Sequence, residues 1–444
     1  MTELLLAAAD AAAIRAGLLG GDTEECVVLY ASQAVRSDKA DRFLVRDMEW
    51  PSPADYTRRG ALEAELSPEF VARVTKRARR EGTALVFVHS HPGSEAPLFS
   101  STDWEGEQHL RGFLAHRHPT TPHIAMVVSE GGLRARIIGT EENLRVISIG
   151  ETREVLFDPA SSDASDSGKF DRQIRAFGIA GQRELQRLRV AVVGLGGIGS
   201  IVVQQLAHLG VQDFILVDPD TLESTNLNRV ANATVKDLGK PKVKIAARYI
   251  KSVAKDSRIS SIKGDIIQLK TACRLFDADI IFGCTDSHGS RAVMQQIAYQ
   301  YMIPYIDAGV TIVAAKGRIT HTYGRIQLLS PGLACFACDG LLDPNEVRRD
   351  MMTAFERQAD PYIQGDREPA PAVMSLNGTV SSLAVTMLLA VIAGVPIASR
   401  HILYNALAST MRPVRAQQNA DCFVCSRSGA FARGDSWPIF ARGD

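Results

Sequence analysis

The chain has 444 residues, more than one hydrophobic core comfortably supports, so we expect two domains of unequal size. Its 50 Lys and Arg residues balance 50 Asp and Glu residues, which excludes a net positive field able to hold nucleic acid or an anionic membrane. Seven cysteines in a long chain without a recognisable secretory leader predict metal or catalytic thiols in a reducing compartment, and we expect a cytoplasmic protein.

The N-terminal residues 1–19 are apolar and rich in alanine, with Glu3 and Asp10 among them. Since no basic segment precedes this stretch, it predicts a surface-packed helix rather than a signal peptide. No stretch reaches the roughly 18 to 20 uninterrupted apolar residues that span a bilayer. Residues 380–395 come closest, and they predict a buried helix.

Alternating strand and helix signals follow over the first third of the chain. Ser67 predicts a helix N-cap, with Pro68 at the first helical position, a last turn near Arg80 and a stop before Gly82. Short apolar runs on either side predict strands, and together these signals predict a small α/β domain. The predicted strands are 26–30, 84–88, 124–128 and 133–138.

Two histidines follow the second of these strands, and a carboxylate lies a short loop away. His89 and His91 alternate along an extended chain, so both imidazoles can face one metal, and Asp103 opens the next helical stretch. Three protein ligands leave zinc one open position for a water molecule, whose pKa falls to about 7. The pattern indicates a zinc site that hydrolyses amides. The alternative is a histidine that ends the strand and a Ser101 that caps the helix, with no metal.

This pattern resembles the JAMM (JAB/MPN) family of metallopeptidases, which includes deubiquitinases, over roughly the first 150 residues. The spacing between the second histidine and the aspartate is one residue longer than usual in that family. Three further histidines, at 116, 118 and 123, have no patterned carboxylate and are expected to be solvated or packing residues. The resemblance implies zinc ligands His89, His91 and Asp103, a general base at Glu24 with Glu25 as the alternative, and an oxyanion-stabilising Ser100.

A polar stretch marks the domain boundary. Hydrophobic periodicity stops near Asp158, and small polar residues replace it as far as Lys169. The expected organisation is a zinc isopeptidase domain at 1–157, a linker at 158–168, a larger domain at 169–428 and a C-terminal tail at 429–444.

A glycine-rich turn joins a strand to a helix in the larger domain. Apolar strands at 189–193, 214–218 and 279–282 alternate with helical stretches, which predicts a mostly parallel, Rossmann-like sheet with crossover helices. The glycines at 194–199 allow close approach to a phosphate, which the helix N-terminus attracts. Asp218 ends the next strand and is placed to bind a ribose hydroxyl. Taken alone, this fingerprint fits a user of NAD, FAD or ATP.

The segment after Asp218 favours ATP. It reads DPDTLESTNLNR over 218–229, with GKPK at 239–242, CTD at 284–286 and FDRQI at 170–174. These motifs resemble the adenylation domain shared by ubiquitin-activating enzymes and the bacterial ThiF and MoeB families, over 169 to about 426. The resemblance implies a homodimer that binds ATP and Mg²⁺, with Asp286 as the magnesium ligand and Arg172 reaching the triphosphate in a partner subunit. The implied nucleotide-binding residues are Gly194, Gly196, Gly197, Gly199, Asp218, Asp220, Asn226, Asn228, Arg229 and Lys242.

Physical chemistry supports the same assignment, because attack of a carboxylate on an α-phosphate requires concentrated positive charge and a metal more than covalent help. Arg229 and Lys242 would supply that charge by holding the phosphates. The alternatives are that these two are solvated surface charges and that Asn226 and Asn228 are turn residues.

Two Cys-x-x-Cys pairs lie towards the end of the chain. Together Cys335, Cys338, Cys422 and Cys425 complete a tetrahedral sulfur site, which is closed to substrate and therefore predicts a structural zinc. Redox-active pairs are the alternative. Residues 339–374 are charged and contain prolines, and they resemble the crossover loop of ubiquitin-activating enzymes. No cysteine occurs between Asp339 and Asp421, so this loop cannot carry a thioester. Two other thiols, Cys273 and Cys284, are expected to be buried packing residues.

Three functions follow from these patterns. The leading hypothesis is a bacterial ubiquitin-like conjugation system, of the kind that by resemblance serves antiphage defence. In it the chain trims or removes a ubiquitin-like protein and activates its C-terminal glycine, and a separate conjugating enzyme supplies the acceptor cysteine. The second is activation of a sulfur carrier for thiocarboxylate-dependent biosynthesis. The third is a catalytically silent scaffold that binds ubiquitin-like folds.

Overall fold

The structure, a computed structural model, describes residues 2–37, 41–160, 168–360 and 370–443. Most of the expected linker, at 161–167, and part of the expected crossover loop, at 361–369, lie outside the described residues. The chain divides into two compact units, and each contains more than one stretch of sequence. The first contains Met1–Asp163, Gln300–Met302 and Arg427–Pro438, and the second contains Ala164–Tyr299, Ile303–Ser426 and Ile439–Asp444.

In the described part of the first unit there are ten strands and three α-helices. The strands are β1 (Glu3–Ala7), β2 (Cys26–Ala34), β3 (Arg42–Glu49), β4 (Tyr56–Arg59), β5 (Ala64–Leu66), β6 (Ala84–Ser90), β7 (Ile124–Ser129), β8 (Gly132–Ile137), β9 (Asn143–Ile149) and β10 (Arg153–Phe157). The helices are α1 (Ala8–Leu18), α2 (Pro68–Glu81) and α3 (Ser101–Arg117). The large sheet has the order β1-β3-β2-β6-β7-β8-β9-β10, and β1 also pairs with β9, so the sheet closes on itself. β4 and β5 form a separate hairpin.

Each face of this sheet carries its own core. On one side Ile14 and Leu18 of α1 pack with sheet residues such as Val86. On the other side Phe70 and Val74 of α2 pack with a second set of buried residues. Burial on both faces explains why β2, β6 and β7 are almost continuously apolar.

The predicted start and end of α2 are confirmed. The Ser67 hydroxyl accepts a hydrogen bond from Phe70 N at 3.2 Å, Pro68 is the first helical residue, and Gly82 ends the helix with a left-handed φ of 65°.

The prediction of a single N-terminal helix is wrong for residues 3–7. These residues form β1, which is buried along its whole length and pairs in parallel with β3 and β9, and the helix begins only at Ala8. A short apolar run fits a buried strand as well as a helix, and here its pairing partners lie far away in sequence.

The first unit also includes a segment from the end of the chain. Arg427 pairs with Asp10, and Asp435 Oδ2 accepts a hydrogen bond from Val35 N at 2.8 Å. Gly434 has a φ of 50° and approaches the neighbouring strand so closely that a Cβ there would lie 2.4 Å from Gln33 O. Residues 427–438 are therefore packed parts of this unit, although they overlap the stretch that we expected to be a tail.

The second unit contains an eight-stranded mixed sheet. Its strands are β11 (Arg189–Val193), β12 (Asp213–Val217), β13 (Arg258–Ile262), β14 (Ile280–Gly283), β15 (Tyr305–Ala315), β16 (Arg318–Leu329), β17 (His401–Asn405) and β18 (Thr410–Pro413). The order is β13-β12-β11-β14-β15-β16-β17-β18, with the first five strands parallel and the last three pairings antiparallel. This confirms the expected fold class, and the predicted strands agree to within one residue at each end.

The helices of the second unit are α4 (Asp171–Arg187), α5 (Gly197–Leu209), α6 (Lys242–Val253), α7 (Leu269–Ala272), α8 (His288–Gln300), α9 (Phe336–Asp339), α10 (Pro344–Met351), α11 (Ala354–Ala359) and α12 (Met374–Ala393). By length and composition alone α12 could cross a bilayer, but half of its most apolar stretch is buried inside the protein. Val380, Ala384 and Leu388 of α12 belong to the main core, beside Val202 of α5. The prediction of a buried helix is confirmed.

One burial prediction is wrong. Cys273 is exposed, because it begins a 3-10 turn in which Leu275, and not the thiol, points into the core.

Candidate active sites

Three predicted zinc ligands meet in the first unit. His89 lies near the end of β6, His91 directly follows that strand, and Asp103 lies in the first turn of α3. His89 Nε2 is 3.2 Å from His91 Nε2 and 3.2 Å from Asp103 Oδ1, and His91 Nε2 is 3.5 Å from Asp103 Oδ2. All three residues are partly buried and can share one metal ion.

These separations fit zinc. In a tetrahedral site with ligands about 2.0–2.1 Å from the metal, neighbouring donor atoms lie about 3.3–3.4 Å apart. The donor atoms of His89, His91 and Asp103 therefore have the spacing expected for three ligands of one zinc ion. Three protein ligands would leave a tetrahedral zinc one position for water or substrate.

The charges of this site are set by burial and by the histidines. Burial alone would raise the pKa of Asp103, but hydrogen bonds from His89 and His91 outweigh it and hold that pKa far below its usual value. A hydrogen bond to Asp103 in turn raises the pKa of His91. Burial raises the pKa of Glu24, against the opposing effect of the two imidazoles. A carboxylate with a raised pKa is suited to accept a proton.

The side chains of Glu24 and Glu25 have different neighbours. Glu24 Oε1 lies 3.8 Å from His91 Nε2, and a hydrogen bond from Glu24 N to Gly60 O at 2.8 Å fixes its backbone. Glu25 instead pairs with Arg59 and accepts a hydrogen bond from Tyr56 OH at 3.2 Å. Of the two candidates for a general base, Glu24 is therefore the one that lies beside the predicted zinc ligands.

Ser100 is the N-cap of α3. Its hydroxyl accepts a hydrogen bond from Asp103 N at 3.1 Å, and Asp103 Oδ2 accepts one from Ser100 N at 2.6 Å. This reciprocal cap fixes the position of the Asp103 carboxylate. The oxyanion role of Ser100 stays a prediction.

The three ligands line a cavity of about 930 Å³ in the first unit. Glu24 and Ser100 line the same cavity, as do several apolar side chains, so the site has room for a peptide segment. The apolar side chains include Leu62, Leu66, Val71, Phe87, Leu110 and Phe113.

The three histidines expected to be packing or solvated residues do not line this cavity. His118 and His123 are buried, and His123 Nδ1 accepts a hydrogen bond from Leu85 N at 3.0 Å. His116 is exposed. The expectation of packing or solvated histidines is confirmed.

The glycine turn of the second unit joins β11 to α5. A Cβ at Gly199 would lie 1.8 Å from Gly194 O, so protein packing alone requires glycine there. At Gly196 a Cβ would meet no atom within 4 Å. This open side is where a phosphate can approach the backbone closely.

Asp218 supports this turn from the end of β12. Its Oδ2 accepts a hydrogen bond from Leu195 N at 2.6 Å, and its Oδ1 accepts one from Asp220 N at 2.8 Å. Burial raises the pKa of Asp218, although nearby Lys242 lowers it. Lys242 Nζ lies 2.8 Å from Asp220 Oδ2. A salt bridge thus holds the ammonium group beside the predicted ribose ligand.

Arg229 is the second predicted phosphate-binding cation of this site, beside Lys242. Its backbone lies beside Gly197, whose Cβ would be 3.6 Å from Arg229 Cβ, and its guanidinium donates to Thr225 O at 2.6 Å and to Asn228 Oδ1 at 3.3 Å. Asn226 is buried and its backbone carbonyl accepts from Arg229 N, so it also shapes the turn.

The two remaining predicted residues of this site are exposed. Asp286 follows β14, next to Thr285, whose methyl would meet a Cβ at Gly194 at 3.1 Å. Its carboxylate is of the ligand type that Mg²⁺ prefers. Arg172 lies in the first turn of α4, and among the described residues no contact joins it to the others. Its predicted role belongs to a dimer.

The four knuckle cysteines converge in the second unit. Cys335 Sγ lies 3.7 Å from Cys338 Sγ and 3.5 Å from Cys422 Sγ, and Cys338 Sγ lies 3.5 Å from Cys425 Sγ. Sulfur atoms about 2.3 Å from a tetrahedral zinc lie about 3.8 Å apart, so these thiols fit a structural zinc. We call this group the four-cysteine site.

Sequence reasoning missed several residues near the nucleotide edge. Asn377 of α12 is buried, and its Nδ2 lies 2.2 Å from where a Cβ at Gly197 would stand. Asp307 is fully buried between Arg291 and Arg325. A lone charge in the apolar run 305–308 was the available signal for Asp307, whereas nothing local marks Asn377.

Comparison with known families agrees with this geometry. Residues 170–424 match the ThiF family, and residues 6–139 match the prokaryotic homologs of the JAB domain. The chain is 26% identical over 273 residues to the SAMP-activating enzyme E1 of Haloferax volcanii, covering 61% of this chain and 92% of that protein.

Two further relatives are similar over the same part of the chain. The molybdopterin-synthase adenylyltransferase of Escherichia coli is 25% identical over 264 residues, covering 58% of this chain and 96% of that protein. The ubiquitin-like modifier-activating enzyme 5 of Aedes aegypti is 24% identical over 295 residues, covering 63% and 70% respectively.

Proposed function

This chain belongs to the ThiF family, and we propose that it uses ATP to activate the C-terminal glycine of a ubiquitin-like protein, which its first unit trims or releases. The observation that carries the activation step is the convergence of Gly196, Asp218, Arg229 and Lys242 beyond the carboxyl ends of the parallel strands β11 and β12. In open α/β sheets that edge is the usual place for ligands.

The proposed activation joins a carboxylate to AMP. An oxygen of the glycine carboxylate attacks the α-phosphorus of ATP, the bond to the leaving pyrophosphate breaks, and an acyl-adenylate forms. Arg229 and Lys242 bind the phosphates and offset charge that builds up on their oxygens. Asp286 would hold Mg²⁺, which adds positive charge at the phosphates when bound.

The proposed cleavage uses the first unit. His89, His91 and Asp103 would hold a zinc ion, which when bound polarises the amide carbonyl and increases the acidity of water. Glu24 accepts the proton of the attacking water and passes it to the leaving amine. The cavity beside these residues excludes bulk water from the scissile bond and positions the peptide.

Two versions of this function differ in the group that accepts the acyl group from the adenylate. In a bacterial conjugation system, with a role in antiphage defence, the acyl group passes to a cysteine on a separate conjugating enzyme. In sulfur-carrier chemistry it passes to a sulfur donor. No cysteine occurs between Asp339 and Asp421, so the region of the expected crossover loop offers no acceptor thiol, and in both versions we propose an acceptor on another protein. The similarity to the molybdopterin-synthase adenylyltransferase of Escherichia coli supports the second version.

The proposal includes a homodimer, in which Arg172 serves a site in the partner subunit. Arg172→Ala mixed with Asp286→Ala tests this directly. If each site needs Asp286 from one subunit and Arg172 from the other, mixed dimers regain activity that each variant lacks alone.

The deciding experiment incubates the full chain with ATP, Mg²⁺ and a ubiquitin-like protein that ends in glycine. Mass spectrometry then distinguishes adenylate, thiocarboxylate and isopeptide products. ATP–pyrophosphate exchange by the wild type that disappears in Asp286→Ala supports activation and excludes a silent scaffold. A thiocarboxylate as sole product would replace the conjugation hypothesis, and a lack of exchange with every such partner would overturn activation.

A further inference from the structure

A fully buried carboxylate lies under the nucleotide edge of the second unit. Asp307 is on β15, opposite Gly283 of β14, and has no exposed surface. Its Oδ1 accepts hydrogen bonds from Tyr305 OH at 2.7 Å and from Arg291 Nε at 3.0 Å, and its Oδ2 accepts one from Arg325. Burial alone would raise the pKa of Asp307, but the two guanidiniums outweigh it and lower that pKa. The carboxylate is therefore charged and fully paired.

Arg291 connects this carboxylate to the loop that carries Asp286. Its Nη2 donates to Thr285 O at 2.7 Å, and its Nη1 lies 3.5 Å from Asp286 O. The guanidinium thus holds two consecutive carbonyls of the loop while Asp307 holds the guanidinium. The planar guanidinium of Arg291 is held on both sides, so it restricts the loop more than the flexible ammonium group of a lysine would.

Arg325 extends the same contacts away from the loop. Its Nη1 donates to Gln327 Oε1 at 3.0 Å, and Gln327 Nε2 donates to Asp339 Oδ2 at 2.8 Å. Asp339 directly follows Cys338, and its backbone N–H donates to Cys335 O at 3.2 Å. The polar chain therefore ends on the knuckle that carries two of the four thiols.

The side chains of this polar chain are mostly buried. Gln327 is 2% exposed, and the side chains of Arg291 and Arg325 are 12% and 14% exposed. Hydrogen bonds in such surroundings are strong and polarise one another, and a missing partner is costly. A shift at one end is therefore passed to the other end more readily than through exposed side chains.

We propose that the chain Asp339–Gln327–Arg325–Asp307–Arg291 positions the Thr285–Asp286 loop and couples it to the four-cysteine site, so that occupation of either site stabilises the other. This rests on the proposed function, because the loop is assigned there to Mg·ATP. Asp307 and Gln327 act as positioning residues, since neither touches the nucleotide site directly.

The test interrupts the hydrogen bonds of the polar chain at Gln327. Gln327→Met keeps a similar volume and removes both side-chain hydrogen bonds, whereas Asp307→Asn would leave two buried guanidiniums poorly paired and could unfold the unit. Gln182→Met is the matched control, since Gln182 is also 2% exposed and donates one hydrogen bond, to Leu209 O at 2.9 Å. All proteins carry His89→Ala, so that zinc binding reports the four-cysteine site.

Two quantities are measured on the full chain: the Mg·ATP dissociation constant by calorimetry, and the zinc dissociation constant by equilibrium competition with a chromogenic chelator, with and without Mg·ATP. Coupling between the binding free energies of two sites is reciprocal and typically amounts to a factor of about 5 to 150. We expect Mg·ATP to lower the zinc dissociation constant at least about fivefold in the control and hardly at all in Gln327→Met, whose Mg·ATP dissociation constant rises by about the same factor.

The outcomes separate this inference from the proposed function. Normal Mg·ATP binding by the control, with Gln327→Met unchanged in both quantities, overturns the inference alone. Failure of both the control and the His89→Ala parent protein to bind Mg·ATP overturns the inference and the proposed function. Equal losses in Gln327→Met and Gln182→Met would show a general packing defect and would also overturn the inference.

Discussion

Glu24 Oε1 lies 3.8 Å from His91 Nε2, inside the cavity that the predicted zinc ligands line. Its neighbour in sequence, Glu25, pairs with Arg59 instead. The chain thus offers two adjacent carboxylates in different surroundings, and each can be changed without altering the other.

Replacing Glu24 with Gln should abolish most peptide-bond cleavage by the first unit while zinc stays bound. Loss of a general base typically lowers the rate by about 10²–10⁴-fold. The measurement is cleavage of a ubiquitin-like protein fused at its C-terminal glycine, with zinc content determined alongside. Glu25→Gln is the matched control and should retain nearly all activity; if it proved the more damaging change, Glu24 would not be the base.

The purified chain should hold two zinc ions, one for each ligand group. Asp103→Asn should lose the first and leave the fold intact, since that site is open. Cys422→Ser should lose the second and lower the thermal stability of the second unit, because closed thiolate sites contribute directly to folding. Elemental analysis and thermal unfolding measure both effects. A Cys422→Ser protein that kept two zinc ions would contradict the four-cysteine site.

Two glycines of the turn after β11 should respond differently to alanine. Gly199→Ala should lower the free energy of unfolding by about 3 kcal/mol, because its Cβ would lie 1.8 Å from Gly194 O. Gly196→Ala should leave that free energy nearly unchanged and weaken ATP binding, because its Cβ would project into open space on the phosphate side. Urea unfolding and calorimetry separate the two effects. Equal ATP affinity in Gly196→Ala and the wild type would argue against phosphate binding there.

The stability of the protein should fall in mild acid partly because of His123. Burial lowers the pKa of this imidazole to about 4, and its Nδ1 accepts a hydrogen bond that only the neutral ring can accept. The unfolded chain takes up a proton near pH ~6.5 and the folded one only near its lowered pKa, so stability falls as the pH drops between those values.

For His123 this loss amounts to about 2 kcal/mol between pH ~7 and pH ~5. Unfolding free energies of the full chain at both pH values provide the measurement. His123→Asn, which can still accept a hydrogen bond, should lose less stability than the wild type over this range, and the exposed His116→Asn should behave like the wild type. An identical pH dependence in His123→Asn would exclude His123 as the cause.

The sequence predicted best those features that depend on neighbouring residues. The cap of α2, the glycine turn, the strands around it and the two Cys-x-x-Cys pairs all have local signals. What it missed depends on distant pairing: β1 is a strand only because β3 and β9 lie beside it, and Asp307 is explained only by two arginines from other elements. The choice between Glu24 and Glu25 likewise needed the hairpin residue Arg59.

Residues 427–438 belong to the first unit, although most of the second unit lies between them and residue 163 in sequence. During synthesis β1 and β2 therefore leave the ribosome long before Asp435, whose carboxylate accepts the hydrogen bond from Val35 N. The first unit acquires this contact only after most of the second unit has been made.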